Sequence, residues 1–203
     1  MIHYPASATA SAGKTLLVLA HGAGAGERHP FMVKVATALA DRGIDVVTFD
    51  FPYMQQKRKA PDKAPVLEAA FRDAIAEARA RVRPQHTLFI GGKSMGGRMA
   101  THLAAQKYDG LRGVIALGYP LHPPGKPDQP RTAHLPSIDV PLLIVQGERD
   151  AFGTPEEIRP VLKPLRARAT LHVVADGDHS LAVRRATDYA AVADTVAAWI
   201  QDV

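Results

Sequence analysis

Ser94 stands in the run Gly91-Gly92-Lys93-Ser94-Met95-Gly96-Gly97, a Gly-x-Ser-x-Gly motif that directly follows an apolar, strand-like segment and directly precedes a helix-like one. In that setting the serine is forced onto a sharp strand-to-helix turn that exposes its hydroxyl, and the flanking glycines leave room for neighbouring backbone. A hydroxyl is a weak nucleophile, so acyl chemistry needs an imidazole to take its proton and a carboxylate to orient that imidazole. Asp150 closes Gln146-Gly147-Glu148-Arg149-Asp150, and His179 lies in Asp176-Gly177-Asp178-His179-Ser180, each just past another apolar run. The order Ser94, Asp150, His179 suits three groups carried on successive strand-end loops. Glu148, Asp176 and Asp178 are alternative acids at the same edge.

Something must bring these loops together. Six short runs rich in Val, Ile and Leu, at 15–20, 44–49, 87–91, 113–118, 142–146 and 170–174, read as near-continuous apolar strands. That pattern belongs to strands covered on both faces, hence to a parallel sheet. Helical patterns at 30–41, 63–83, 95–106, 155–165 and 188–201 alternate with them. The second is the clearest, with Val66, Leu67, Ala70, Phe71, Ala74, Ile75 and Ala78 marking one face at 3.6-residue spacing. The alternation predicts an α/β fold, a mainly parallel sheet of six or seven strands with helices on both faces. One connection breaks it: residues 119–139 carry six prolines and little periodicity, as a functional loop or minimal lid would. The first dozen residues are read as an edge strand or as disordered.

Topology offers an independent check, because open parallel sheets bind ligands beyond the carboxyl ends of their strands, where strand order switches. If the six strands run 2-1-3-4-5-6 in space, the switch lies between the first and third. His21-Gly22-Ala23-Gly24-Ala25-Gly26 and the Ser94 turn meet there. The backbone N–H groups of Ala23 and Met95 then outline an oxyanion hole. His21 is expected to brace this loop by hydrogen bonding rather than to react. Gly22, Tyr53, Tyr119 and His122 are the expected substrate contacts, Tyr53 because Phe51-Pro52-Tyr53-Met54 follows the second strand and could wall a pocket.

Together these residues resemble the small α/β-hydrolases of the dienelactone-hydrolase-like type, from about Thr15 to the C-terminus. The resemblance implies Ser94 as nucleophile, Asp150 as acid, His179 as base and the Ala23 and Met95 N–H groups as oxyanion donors. It implies a serine esterase acting through an acyl-enzyme. Dienelactone hydrolases proper carry cysteine at the turn where this chain has Ser94, so their lactone substrate is not implied. The Gly118-Tyr119-Pro120-Leu121-His122-Pro123-Pro124 stretch resembles a subgroup of poorly characterised hydrolases. A catalytically silent hydrolase-fold scaffold is the alternative, favoured if His179 turned away from Ser94 or if Tyr119 or Leu121 filled the pocket.

Other chemistries fit less well. The 203 residues, 46% hydrophobic and 22% charged, suit one globular domain spanning 1–203. The absence of cysteine excludes a thiol nucleophile, a disulfide framework and thiolate metal sites. No metal or organic cofactor is expected; His122 and His134 have neither a His-Glu-x-x-His motif nor clustered carboxylates beside them. A phosphate-binding loop ending in Gly92-Lys93-Ser94 would need glycine where Thr87 opens the strand. A dinucleotide fingerprint at Gly22-x-Gly24-x-Gly26 would need a third glycine where Glu27 stands. The net charge of +5 comes from scattered residues, and the Lys57, Arg58, Lys59, Lys63 cluster lacks interleaved aromatics, so nucleic acid is not an expected partner. Lys93 reads as an outward-facing charge, with anion steering as the alternative; Lys57, Arg58, Lys63, Lys126 and Arg131 point to anionic substrates. His102 reads as packed or exposed and Trp199 as packing. The apolar run at 16–20 is too short for a membrane span or signal segment, so the chain is expected to be cytoplasmic. Its partner is a small acyl substrate, and a homodimer is compatible with the sequence.

Overall fold

The computed structural model describes residues 1–7, 14–82, 85–165 and 169–203. Along the chain come β1 (Ile2–Tyr4), β2 (Thr15–Ala20), α1 (Pro30–Ala40), β3 (Asp45–Phe49), α2 (Pro52–Gln55), α3 (Ala64–Arg81), β4 (Thr87–Lys93) and α4 (Met95–Ala105). Then follow β5 (Leu111–Leu117), β6 (Leu142–Gly147), α5 (Pro155–Leu162), β7 (Ala169–Val174), β8 (Ala182–Val183), β9 (Ala186–Thr187) and α6 (Tyr189–Asp202). The six expected strands are β2 to β7. The edge-strand reading of the N-terminus holds for Ile2–Tyr4, while residues 8–13 lie outside the described residues, as does Arg83 at the expected end of α3.

The seven-stranded sheet runs β1-β3-β2-β4-β5-β6-β7. Only β1 is antiparallel, pairing Ile2 with Thr48 and Tyr4 with Val46. Setting it aside leaves the order 2-1-3-4-5-6 expected from sequence, and the switch falls between β2 and β4, where Ala20 pairs with Gly92.

The strands read as continuous apolar runs because both faces are covered. One face carries α3, α4 and α5 through Phe71, Ile75, Met99, Leu103 and Ile158. The other carries α1 and α6 through Met32, Val35, Leu39, Val192, Val196 and Trp199. Burying each such side chain contributes ~1.5–3 kcal/mol. In α3 the buried stripe is Leu67, Phe71, Ala74, Ile75 and Ala78. Val66, expected on that stripe, is 46% exposed because it precedes Leu67 by one position and so points about 100° away around the helix.

The 119–139 connection packs down. Tyr119, Leu121, Leu135 and Ile138 are buried, and a short 3-10 turn, Leu135–Ser137, closes it. The β8–β9 hairpin has no counterpart in the sequence reading, because two-residue strands carry no periodicity to detect.

Candidate active site

Ser94 links β4 to α4 with φ 51° and ψ −115°, a conformation that costs energy for a residue with a Cβ. The glycines around it are required by close backbone approach: a Cβ on Gly92 would stand 2.5 Å from the Gly96 carbonyl carbon and 2.6 Å from the Ala20 carbonyl oxygen. The strain turns the Ser94 side chain away from the helix and toward the carboxyl edge of the sheet. His179 Nε2 is 2.8 Å from Ser94 Oγ. On its other side the ring donates Nδ1–H to Asp150, at 2.8 Å from Oδ2 and 3.0 Å from Oδ1. With Nδ1 donating, Nε2 of the neutral ring is the acceptor, free to take the serine proton.

Asp150 is 1% exposed, and a carboxylate so buried is stable as an anion only if donors surround it. Three do. Besides His179 these are the Phe152 N–H, at 2.8 Å from Oδ1, and Gln146 Nε2, at 2.8 Å from Oδ2. Gln146 is itself fully buried near the end of β6; it also donates to the Gly153 carbonyl at 2.8 Å and accepts the Tyr119 N–H at 2.7 Å. Phe152 stacks on the His179 ring, centroids 4.1 Å apart at 29°. Sequence reasoning missed both residues. A visible signal existed for Gln146: it is the one polar residue in Leu142-Leu143-Ile144-Val145-Gln146.

The alternative acids shape the loops. Glu148 accepts the Asp176 N–H at 2.8 Å, Asp176 pairs with Arg149, and Asp178 Oδ1 accepts the Ser180 and Ala182 N–H groups at 2.7 and 3.0 Å. None of them approaches the His179 ring nitrogens among the described hydrogen bonds.

Lys93 does not point outward. Its ammonium donates to the His179 carbonyl oxygen and lies 5.7 Å from the Phe31 ring centre. Gly118, at φ +66°, makes way for this contact, since a Cβ there would sit 2.7 Å from that carbonyl oxygen and 2.8 Å from Lys93 Nζ. Burial pushes the lysine down to about 8, against the pull of Asp150 and Asp178.

His21 is fully buried with both ring nitrogens engaged. Nδ1–H donates to the Gly22 carbonyl at 2.8 Å, and Nε2 accepts the Phe51 N–H at 3.1 Å, so the ring ties the Gly22–Ala23 loop to the end of β3. Burial lowers its pKa, which keeps it neutral in this bracing role.

A cavity of about 600 Å³ opens beside these groups, lined by Gly22, Ala23, Met95, Ser94, Phe152 and His179 among others. Gly22 therefore stands where the sequence placed it, at the cavity wall. Tyr53, Tyr119 and His122 do not. Tyr53 is fully buried with its hydroxyl donating to the Ala23 carbonyl at 2.9 Å, and burial pushes it up to about 12. Tyr119 turns inward to donate to the Arg131 carbonyl at 2.7 Å. His122 donates Nδ1–H to the Pro123 carbonyl at 2.8 Å and faces Glu157 at 3.3 Å. All three hold loops in place, and Pro120 and Arg131 of the same loop reach the cavity instead.

A sequence profile of the alpha/beta hydrolase domain matches residues 13–202. The chain belongs to the alpha/beta-hydrolase family. Among solved structures it is similar to an alpha-beta serine hydrolase homologue from Coxiella burnetii, with TM-score 0.79 and 14% identity over 98% of this chain and 90% of that one. It is also similar to dienelactone hydrolase from Anabaena variabilis, with TM-score 0.72 and 19% identity over 95% and 88%. A third, XC6422 from Xanthomonas campestris, described as an a/b serine hydrolase without lid, gives TM-score 0.74 and 20% identity over 98% and 87%. At these identities the likeness is one of fold. Among the described residues of this family member, no helix is long and apolar enough to cross a membrane.

Proposed function

We propose that this chain is a serine hydrolase that cleaves a small carboxylic ester or comparable activated acyl compound through an acyl-enzyme. The observation that carries the reading is the unbroken hydrogen-bond chain Ser94 Oγ, His179 Nε2, His179 Nδ1, Asp150. Ser94 Oγ attacks the carbonyl carbon while His179 Nε2 takes the hydroxyl proton; the carbonyl oxygen becomes an oxyanion. The Met95 N–H is at the first position of α4, where a helix leaves amides without internal acceptors, and Ala23 lines the same cavity. Neither amide is engaged by another described residue, which suits them to receive the oxyanion. Collapse of the tetrahedral intermediate breaks the bond to the leaving alcohol, which departs with the proton from His179. Water then attacks the acyl-enzyme, giving its proton to His179, and the carboxylic acid and free Ser94 result.

Asp150 supplies orientation and a counter-charge for the imidazolium. The alternative of a silent scaffold has no support in the geometry, since His179 faces Ser94 and neither Tyr119 nor Leu121 enters the cavity. The test is steady-state hydrolysis of p-nitrophenyl acetate and butyrate by the intact chain and by Ser94→Ala and His179→Ala. The reading requires turnover by the intact chain and its loss in both variants; equal turnover by Ser94→Ala would end it.

A further inference from the structure

Besides Lys93, two further cations line the same cavity, Arg98 and Arg131, and unlike Lys93 neither has a partner. No ion pair or hydrogen bond among the described residues engages either guanidinium, and Arg98 Nε is buried with nothing to donate to. The carboxylates that could neutralise them are committed elsewhere. Glu68 accepts from Gln106 Nε2 at 2.8 Å and pairs with His102 at 2.9 Å. Asp62, the acidic residue in the lining, pairs with Arg58 at 2.6 Å through Oδ1, and its Oδ2 makes no hydrogen bond to either arginine. Burial, and then the charge of Arg131, work against Arg98. Two like charges facing one space, one of them desolvated, are unfavourable in the empty protein and become favourable once an anion enters.

The placement ties this space to the reaction. Arg98 sits in the first turn of α4, its N–H donating to the Ser94 carbonyl at 3.0 Å, and its side chain and that of Ser94 line the same cavity. Arg131 is held by its backbone on both sides: its N–H donates to the Leu121 carbonyl at 2.7 Å, and its carbonyl accepts the Tyr119 hydroxyl. Leu67, Met95 and Pro120 line the same cavity and suit a short apolar stem.

We propose that Arg98 and Arg131 form an anion subsite of the catalytic cavity, and that the acyl compound handled at Ser94 carries a carboxylate a few carbon atoms from its ester carbonyl. The planar two-oxygen face of a carboxylate matches the guanidinium fork. This substrate class rests on the hydrolase reading, whereas the subsite itself does not.

The test uses two esters of equal acyl length, the mono-p-nitrophenyl ester of glutarate and p-nitrophenyl pentanoate, with kcat/KM measured at low ionic strength. The glutarate ester is favoured at least tenfold by the intact chain. That ratio falls about tenfold in Arg98→Met and severalfold in Arg131→Met, is partly restored in Arg98→Lys, and shrinks with added salt. A ratio at or below one in the intact chain, or one unchanged in both methionine variants, overturns the proposal. A second arm needs no turnover: glutarate titrated calorimetrically into Ser94→Ala binds, and binding weakens at least tenfold in Ser94→Ala/Arg98→Met, while glutaramide does not bind. If neither ester is cleaved but glutarate binds through Arg98, the hydrolase reading fails and the subsite stands. If both esters are cleaved without regard to charge, the subsite fails and the hydrolase reading stands. Binding of inorganic phosphate in place of glutarate overturns the carboxylate assignment.

Discussion

Replacing Gln146 by leucine, a residue of similar size, removes one side chain that makes four hydrogen bonds and leaves its partners in a dry environment. Asp150 Oδ2 loses a donor at 2.8 Å, the Tyr119 N–H loses its acceptor at 2.7 Å, and the Gly153 and Tyr119 carbonyls lose donors at 2.8 and 3.2 Å. An orphaned buried amide costs ~1–3 kcal/mol, and a lost hydrogen bond to a charged group ~1.5–3 kcal/mol. The apolar leucine recovers part of this, so a net loss of about 3 kcal/mol is expected. At ~2–4 °C per kcal/mol for a chain of this length, the midpoint of thermal unfolding drops by roughly 6–12 °C. The activity arm is separate. Asp150 with two remaining donors is held less tightly, so the His179 ring loses its fixed orientation, and ester kcat/KM should fall about tenfold or more at a temperature where the variant is still folded. The assays are urea unfolding and ester hydrolysis on Gln146→Leu and Gln146→Asn. A leucine variant within 1 kcal/mol of the parent and fully active would refute the claim that Gln146 supports the acid.

Three further outcomes follow from the same structure. Burial first, then His102 and Arg98, hold His134 down to about 3, although its Nε2–H donates to Thr101 Oγ1 at 2.8 Å. The unfolded chain takes up that proton near pH 6.5 and the folded chain only near 3, so the unfolded state binds more protons between them. Stability therefore falls as pH is lowered through that window, by at most ~1.4 kcal/mol per pH unit before solvent screening reduces it. Urea unfolding between pH 6.5 and 4 should show a shallower decline in His134→Gln, and identical slopes would contradict this. Lys93, lowered to about 8, should react with an amine-directed reagent with a midpoint near that pH, well below the range of exposed lysines, as read by competitive labelling and peptide mass spectrometry; a midpoint above 10 would refute it. A cavity of about 600 Å³ suits a short acyl chain, so acetyl to hexanoyl esters should be turned over faster than palmitoyl esters, and a preference for long chains would count against a small site.

Much of this architecture is legible in the sequence because both faces of the central strands are buried, so Leu142-Leu143-Ile144-Val145 and its counterparts cannot be mistaken for amphipathic surface. The positions of Ser94, Asp150 and His179 follow from the same logic, since each lies in the loop or turn that follows a strand and parallel strands deliver their carboxyl ends to one edge. What the sequence does not reveal is where side chains point within irregular loops. Tyr53, Tyr119 and His122 stand close to the site along the chain yet turn inward, Tyr119 directly after the left-handed Gly118. Lys93 looks like a surface charge, but the inward turn of the chain at Ser94 folds its ammonium back onto the His179 carbonyl. The acid support from Gln146 and the ring contact from Phe152 depend on β6 and its following loop meeting in space, which no local pattern encodes.

The most direct measurement is labelling with a fluorophosphonate probe, with the adduct located by peptide mass spectrometry in the intact chain, Ser94→Ala and His179→Ala. An activated serine predicts one stoichiometric adduct on Ser94, absent in Ser94→Ala and strongly slowed in His179→Ala. Failure of the folded, intact chain to react, or an adduct at another residue that persists in Ser94→Ala, would contradict the account.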